Sequence, residues 1–440
     1  MSLSCLQDQE VKSPYFLPEP TTPTHITQLP PDVLSCFFNL SLEDIRVTFN
    51  LALTCKKWHQ VFTSNDFWAH FIYRAGISLP KDEGLNLRRA FLQGALYPLA
   101  DQIKVCDKPI CSSITSNKLP DNRNIIFVGE SRFISYFNSD LCVHDLNGDI
   151  ILSISSEDRI QSVTYFRDEV YYILKNGKTF LHPMSKEGHP RLLYQTASIE
   201  KLESVWGYRL LADDHWLVCY SQSGIEVRNR QTMQVEHQIP FVNQSLLDFN
   251  LIQIHYGNLY WVISDVDKKG SLYCLNLRSN KETKYELPWD NIACFLPTFA
   301  KCYFFVENRR SENAYVLAGD KTTIESPSGA PGLLVEMDWL TGEFKLFCKN
   351  KGFETPGLIA IGDLLLFARS AVQLYDDETE KPDFLELIDM KSGKILHSLE
   401  IGMGLYNPSN PDLWAMAAFN KKIMIANQGG CFYEIHFPRP

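Results

Sequence analysis

A few short stretches carry residue types that could do chemistry. Gly177-Lys178-Thr179 has the ending of a phosphate-binding loop, in which a glycine-rich turn cradles phosphates and a lysine reaches them. Tyr172 stands where that loop needs its first glycine, so the tripeptide reads as a hairpin turn. Gly402-Met403-Gly404 lacks the third glycine of a dinucleotide fingerprint and reads as a loop. Asp376 to Glu380 (DDETE) offers carboxylates for a cation, but a run of this kind is expected to be a solvated loop. His144 and His436 fall in strand-like runs and are expected to be structural rather than metal ligands. The zincin and nucleophile-elbow patterns are absent, and so is paired-cysteine zinc spacing. The twelve cysteines are scattered, several within apolar runs such as LVCY (Cys219) and LYCL (Cys274), and read as buried free thiols of a reducing compartment. No catalytic residue, metal site or cofactor is expected, and the chain does not read as an enzyme.

The elements that would hold any site come in two kinds. Of 440 residues, 45% are hydrophobic, with 27 Phe, 19 Tyr and 8 Trp, enough for a large core. The net charge of -10 disfavours nucleic acid as the main partner, since phosphate binding needs clustered Lys and Arg. The most apolar run, from Gly357, is interrupted by Asp363 and is too short to span a membrane. The first residues have no basic start followed by an apolar block, so no secretion signal is expected.

From about residue 117 the chain repeats a unit of short strands. IIFVGESRFISYF with LCVHDLNGDIILSI is one copy, and LIAIGDLLLFA with FLELIDMKSGKILHSLEI is another. Each third strand ends near an acidic or polar residue, followed by a turn and a fourth strand. About seven units at a spacing of roughly 40–60 residues predict a β-propeller, in which each blade covers its neighbour. The last unit lacks a fourth strand, so a closed ring must borrow one from before the first unit. DQIKVCD, 101–107, has the length and partial alternation for it and is the expected closing strand. The expected fold is therefore mainly β behind a small N-terminal α domain. Residues 307–332 form a polar insertion, which in repeat proteins maps to a surface loop.

Residues 1–24, rich in Pro, Ser and Thr, are expected to be a disordered tail. Helical spacing then appears in Val33, Leu34, Phe37 and Phe38, and again in Ile45, Phe49 and Leu53. Pro30 and Pro31 suit a helix start, and Ser41-Leu-Glu-Asp44 has the form of a capping box. A block this small buries too little surface to be stable alone and needs a partner face.

Leu29-Pro30, then Leu40-Ser41 with Asp44-Ile45, then Cys55-Lys56 with Trp58, then Phe67-Trp68, resemble the F-box pattern in order. Members of that family are substrate receptors of cullin-RING ubiquitin ligases. The first loop is about one residue shorter than the family pattern, and the stretch from Asp44 to Trp58 is about three longer, nearly one helical turn. The resemblance implies an F-box over 26–76, a helical linker over 77–100 and a target-binding propeller over 101–440. It implies docking of a Skp-type adaptor through Leu29, Pro30, Val33, Leu34, Phe37, Leu40, Ile45 and Trp58, and through that adaptor a cullin. Expected target contacts are Trp206, Tyr208, Arg209, Arg309, Arg310 and Trp414, because aromatic and Arg side chains dominate hot spots. The target itself is not readable. The expected compartment is the cytoplasm or nucleus, or a host's cytosol if the source is a bacterium. The rival readings are an interaction scaffold without a ligase and a propeller enzyme.

Overall fold

The strands are short because each is a radial slice of a ring. The computed structural model describes residues 96–438 apart from connecting segments, the longest being 307–332, 370–382 and 402–414 (307–332 holding two short described strands). Residues 1–95, and with them the tail, the F-box-like block and most of the linker, lie outside the described residues.

Seven antiparallel sheets follow one another along the chain as blades. Blade 1 consists of Asn124–Phe127, Arg132–Phe137, Asp140–Asp145 and Ile150–Ser155. The second strands are the most deeply covered: Trp216–Ser221 of blade 3 is buried at every residue, and Lys301–Val306 of blade 5 at all but the first. Both faces of these strands meet a neighbouring blade, so they read as unbroken apolar runs rather than as alternation. The fourth strands sit at the rim. Val235–Pro240 shows no buried residue, and its sequence VEHQIP is correspondingly polar.

A shared turn shapes the blades. In five of them the third strand ends on Asp145, Asn229, Asn276, Asp338 or Asp389. Each side-chain oxygen accepts a backbone N–H two or three residues on, from Asn147, Gln231, Ser279, Thr341 and Ser392, at 2.8–3.0 Å. This is the local bond that Asp and Asn offer in place of a backbone turn. The turn then needs a positive φ, met by Gly342 (69°) and Gly393 (67°). In blade 3 Met233 adopts it at 59°, with Arg228 donating to its carbonyl at 2.8 Å.

Blade 7 joins the two ends of the ring. Its strands Ala415–Ala418, Lys422–Ala426 and Cys431–His436 are completed by Ile110–Thr115, with Ile110 opposite His436 and Thr115 opposite Cys431. The ring thus closes with a strand from before the first blade, but 101–107 is not that strand. Most of it belongs to the helix Tyr97–Val105. Within seven residues the spacing of Ile103 and Val105 looks like a strand. The helical face becomes visible only when Leu99 and Ala100 are included and Pro98 is read as a first-turn residue. The true closing strand, ICSSIT, gives little signal because it lies at the rim, where nothing requires apolar alternation.

The helix is a plug between blades 6 and 7. Leu99, Ala100 and Ile103 are fully buried in a cluster with Ile361 and Leu364 of blade 6 and Ile423, Ile435 and Phe437 on the blade 7 side. Gly362, at φ +59°, forms the two-residue turn beneath it, and a Cβ there would stand 2.9 Å from that of Ala100. Lys104 is ion-paired with Asp363, and His397 Nε2 donates to the Ile103 carbonyl at 2.9 Å.

Candidate target-binding face

Strand order makes the two faces of the ring unlike. Turns joining strands 1 to 2 and 3 to 4 emerge on one face, and connections from 2 to 3 and from 4 to the next blade emerge on the other. On the first face the longest connection is 184–190, and most are the capped turns described above. The helix Tyr97–Val105 docks there, against the Gly362-Asp363 turn. On the second face the chain leaves and re-enters at 197–207, 307–332, 370–382 and 402–414. Short, self-satisfied turns suit a scaffold, whereas long loops on a rigid frame suit recognition.

Four of the expected target contacts, Trp206, Arg309, Arg310 and Trp414, lie outside the described residues, in three of these long connections. The eight expected adaptor contacts, Leu29 to Trp58, also lie outside them. Tyr208 and Arg209 are described. Tyr208 is buried and packs with Tyr171, Ile173 and Leu181 of blade 2 and with Leu217 and Cys219 of blade 3. Burial pushes its phenol up to about 12. Its ring belongs to the seam between blades 2 and 3 and is not a surface contact. Arg209 is half-buried beside it and pairs with Tyr220 in the strand register.

The residues singled out for chemistry fall into structural roles. Gly177 (φ +79°) and Lys178 sit at the hairpin between Glu169–Leu174 and Lys178–Pro183, and Thr179 is buried within the blade. His144 is sealed inside blade 1. Its Nδ1 lies 3.2 Å from the Gly148 carbonyl, which can only accept, so Nδ1 carries the proton. Nε2 therefore accepts from the Ser135 hydroxyl at 2.7 Å. Phe133 stacks on the ring at 4.8 Å, and both polar residues are buried, so this Ser-His pair cannot meet a substrate. His436 approaches Glu434, which also holds Lys422. Cys106, Cys142, Cys219, Cys294 and Cys302 are buried free thiols. Among the described residues no group of three or more His, Cys, Asp or Glu could hold a metal ion. Segments 376–380 and 402–404 lie outside them.

Burial pushes His255, on the inner strand of blade 4, down to about 4, and desolvation likewise lowers His144. The fold holds both imidazoles neutral. The unfolded chain takes up their protons below the ordinary value of 6.5, so stability is full above that pH and falls as pH drops toward 4. For His255 the loss is about 2–3 kcal/mol. Urea unfolding between pH 7 and 4.5 should show a weaker pH dependence in a His255→Gln variant than in the natural chain. Parallel profiles would contradict this.

The family model for the F-box domain matches residues 26–70. These residues match an F-box domain. That match contains all eight adaptor contacts named from the sequence and ends before the helix that plugs the ring. Behind the F-box stands a seven-bladed propeller. No curated protein sequence matches the chain. Among solved structures it is similar to the N-terminal domain of Nup159, at 11% identity and TM-score 0.47, covering 75% of this chain and 96% of that one. It is similar to BamB from Moraxella catarrhalis, at 11% identity and TM-score 0.46, covering 75% and 99%. It is also similar to the computationally designed Ika8 protein, at 9% identity and TM-score 0.47, covering 72% and 84%.

The sequence reading missed a cleft at the long-loop end of blade 3, between Thr196 and the strands carrying Glu226 and Gln238. Alternation places Glu226 and Gln238 on strands, but only the pairing register puts them side by side.

Proposed function

We propose that this F-box protein recruits target proteins to a cullin-RING ubiquitin ligase. The F-box docks on a Skp-type adaptor through the apolar face that includes Leu29, Pro30, Val33, Leu34, Phe37 and Leu40. The propeller holds the target on its long-loop face. The chain does no bond chemistry. It raises the effective concentration of a target lysine near a charged ubiquitin-conjugating enzyme and orients it there. The reading assigns the chain to the cytoplasm.

One observation carries the proposal: an F-box match stands in front of a propeller whose tight-turn face takes the helix arriving from the F-box side. The helix takes part of the tight-turn face, and the longer connections leave from the opposite face, which supports target binding there. Affinity capture of the full chain, with and without its first 76 residues, tests the reading. The full chain should bring down a Skp-type adaptor and a cullin, and the shortened chain should lose both while keeping its other partners. Capture of neither by the full chain would sink it.

A further inference from the structure

The long-loop end of blade 3 encloses a cleft of about 170 Å³ against blade 2. Pockets for drug-sized ligands run ~300–1,000 Å³, so this one suits a single long side chain. One wall is built across three strands, where the register sets Cys219, Glu226 and Gln238 in a row. Thr196, just past the outer strand of blade 2, lines it as well. Gly224 belongs to the same end of the cleft. A Cβ there would stand 2.3 Å from the Ile239 carbonyl oxygen, so only glycine keeps these strands in place.

The polar groups are set for a cation. Glu226 is the only charged residue among the described residues that line the cleft. Arg228 Nε holds one of its carboxylate oxygens at 2.7 Å, and both side chains are only 14% exposed. Arg228 is itself fixed, with its guanidinium 4.0 Å from the centre of the Tyr194 ring and one nitrogen on the Met233 carbonyl. The second carboxylate oxygen has no hydrogen bond among the described residues, although a carboxylate can accept several. The Thr196 hydroxyl, on a residue 7% exposed, lies beside the Cys219 thiol without a well-formed hydrogen bond. Burial pushes that thiol up to about 12, so it stays neutral. Gln238 is exposed on the rim strand.

We propose that this cleft is an anchor for one arginine or lysine side chain of the target protein. Glu226 is the counter-charge, and the Thr196 hydroxyl and the Gln238 amide oxygen are further acceptors. The inference rests on the reading above that the long-loop face receives the target, and it names the chemistry of that contact.

Immobilised Gly-Ser peptides differing only at one central residue (Arg, Lys, Gln or Glu) are the probe, offered to the full chain. The Arg and Lys peptides should retain it over the Gln and Glu peptides, less so as salt is added. Gln238→Glu should raise retention on the Arg peptide about two- to fivefold and Gln238→Lys should lower it about as much, the scale of a partly exposed charge contact. Gln238 is exposed, so both variants should keep the melting temperature of the natural chain. Equal retention on Arg and Gln peptides, or the same response in both variants, overturns the proposal. Adaptor capture is read in parallel. Selectivity lost with the adaptor retained removes the cleft alone, whereas selectivity kept without the adaptor counts against the ligase reading alone.

Discussion

A chain carrying Leu29→Asp and Pro30→Ala should no longer co-purify with a Skp-type adaptor. Both residues open the F-box match. A carboxylate placed where an apolar contact forms must lose its water without gaining a partner. That costs about 3 kcal/mol or more, roughly a hundredfold in affinity. Every described strand of the propeller comes from residues beyond 109, so its melting temperature should not move. The measurement is adaptor capture beside a thermal melt. Undiminished capture would mean that the adaptor, if bound, sits elsewhere. A lowered melt would mean that these side chains are sealed against the chain's own blades.

Two truncations should give opposite results, though they differ by only a few residues. A chain beginning at residue 109 keeps the closing strand Ile110–Thr115 and should fold into a closed ring. It loses the helix Tyr97–Val105, uncovering Ile361, Leu364 and Ile423, so it should melt lower and bind apolar dyes. A chain beginning at residue 117 lacks the closing strand. Blade 7 is then left with three strands, and Cys431–His436 becomes an open edge facing solvent. Unpaired edges of this kind recruit other strands, so this chain should aggregate rather than melt cooperatively. Size-exclusion chromatography and circular dichroism separate the outcomes. A monomeric, cooperatively melting chain from residue 117 would show that closure contributes little.

The sequence by itself determined what depends on near neighbours. Strand identity was legible because second strands such as WLVCYS are apolar throughout and bounded by turn residues. The turns were legible because Asp or Asn at the end of a third strand, with Gly soon after, carries its own bonding and backbone chemistry. The F-box was legible because its paired residues recur in order within one short stretch of sequence. Only the tertiary structure decided what depends on distant partners. Ile110–Thr115 becomes a strand because Cys431–His436 waits for it at the far end of the chain. Residues 101–105 become helix because Leu99, Ala100 and Ile103 share a seat between blades 6 and 7. Tyr208 looked like a contact residue and turned out to be core, since burial is set by the neighbouring blade and not by residue type. The Glu226 cleft could not be read from the chain at all, because its residues become neighbours only when three strands pair in register beside another blade. Turn chemistry and periodicity are local and leave their mark in sequence order. Register, ring closure and the seams between blades join residues far apart, and no short window of sequence records them.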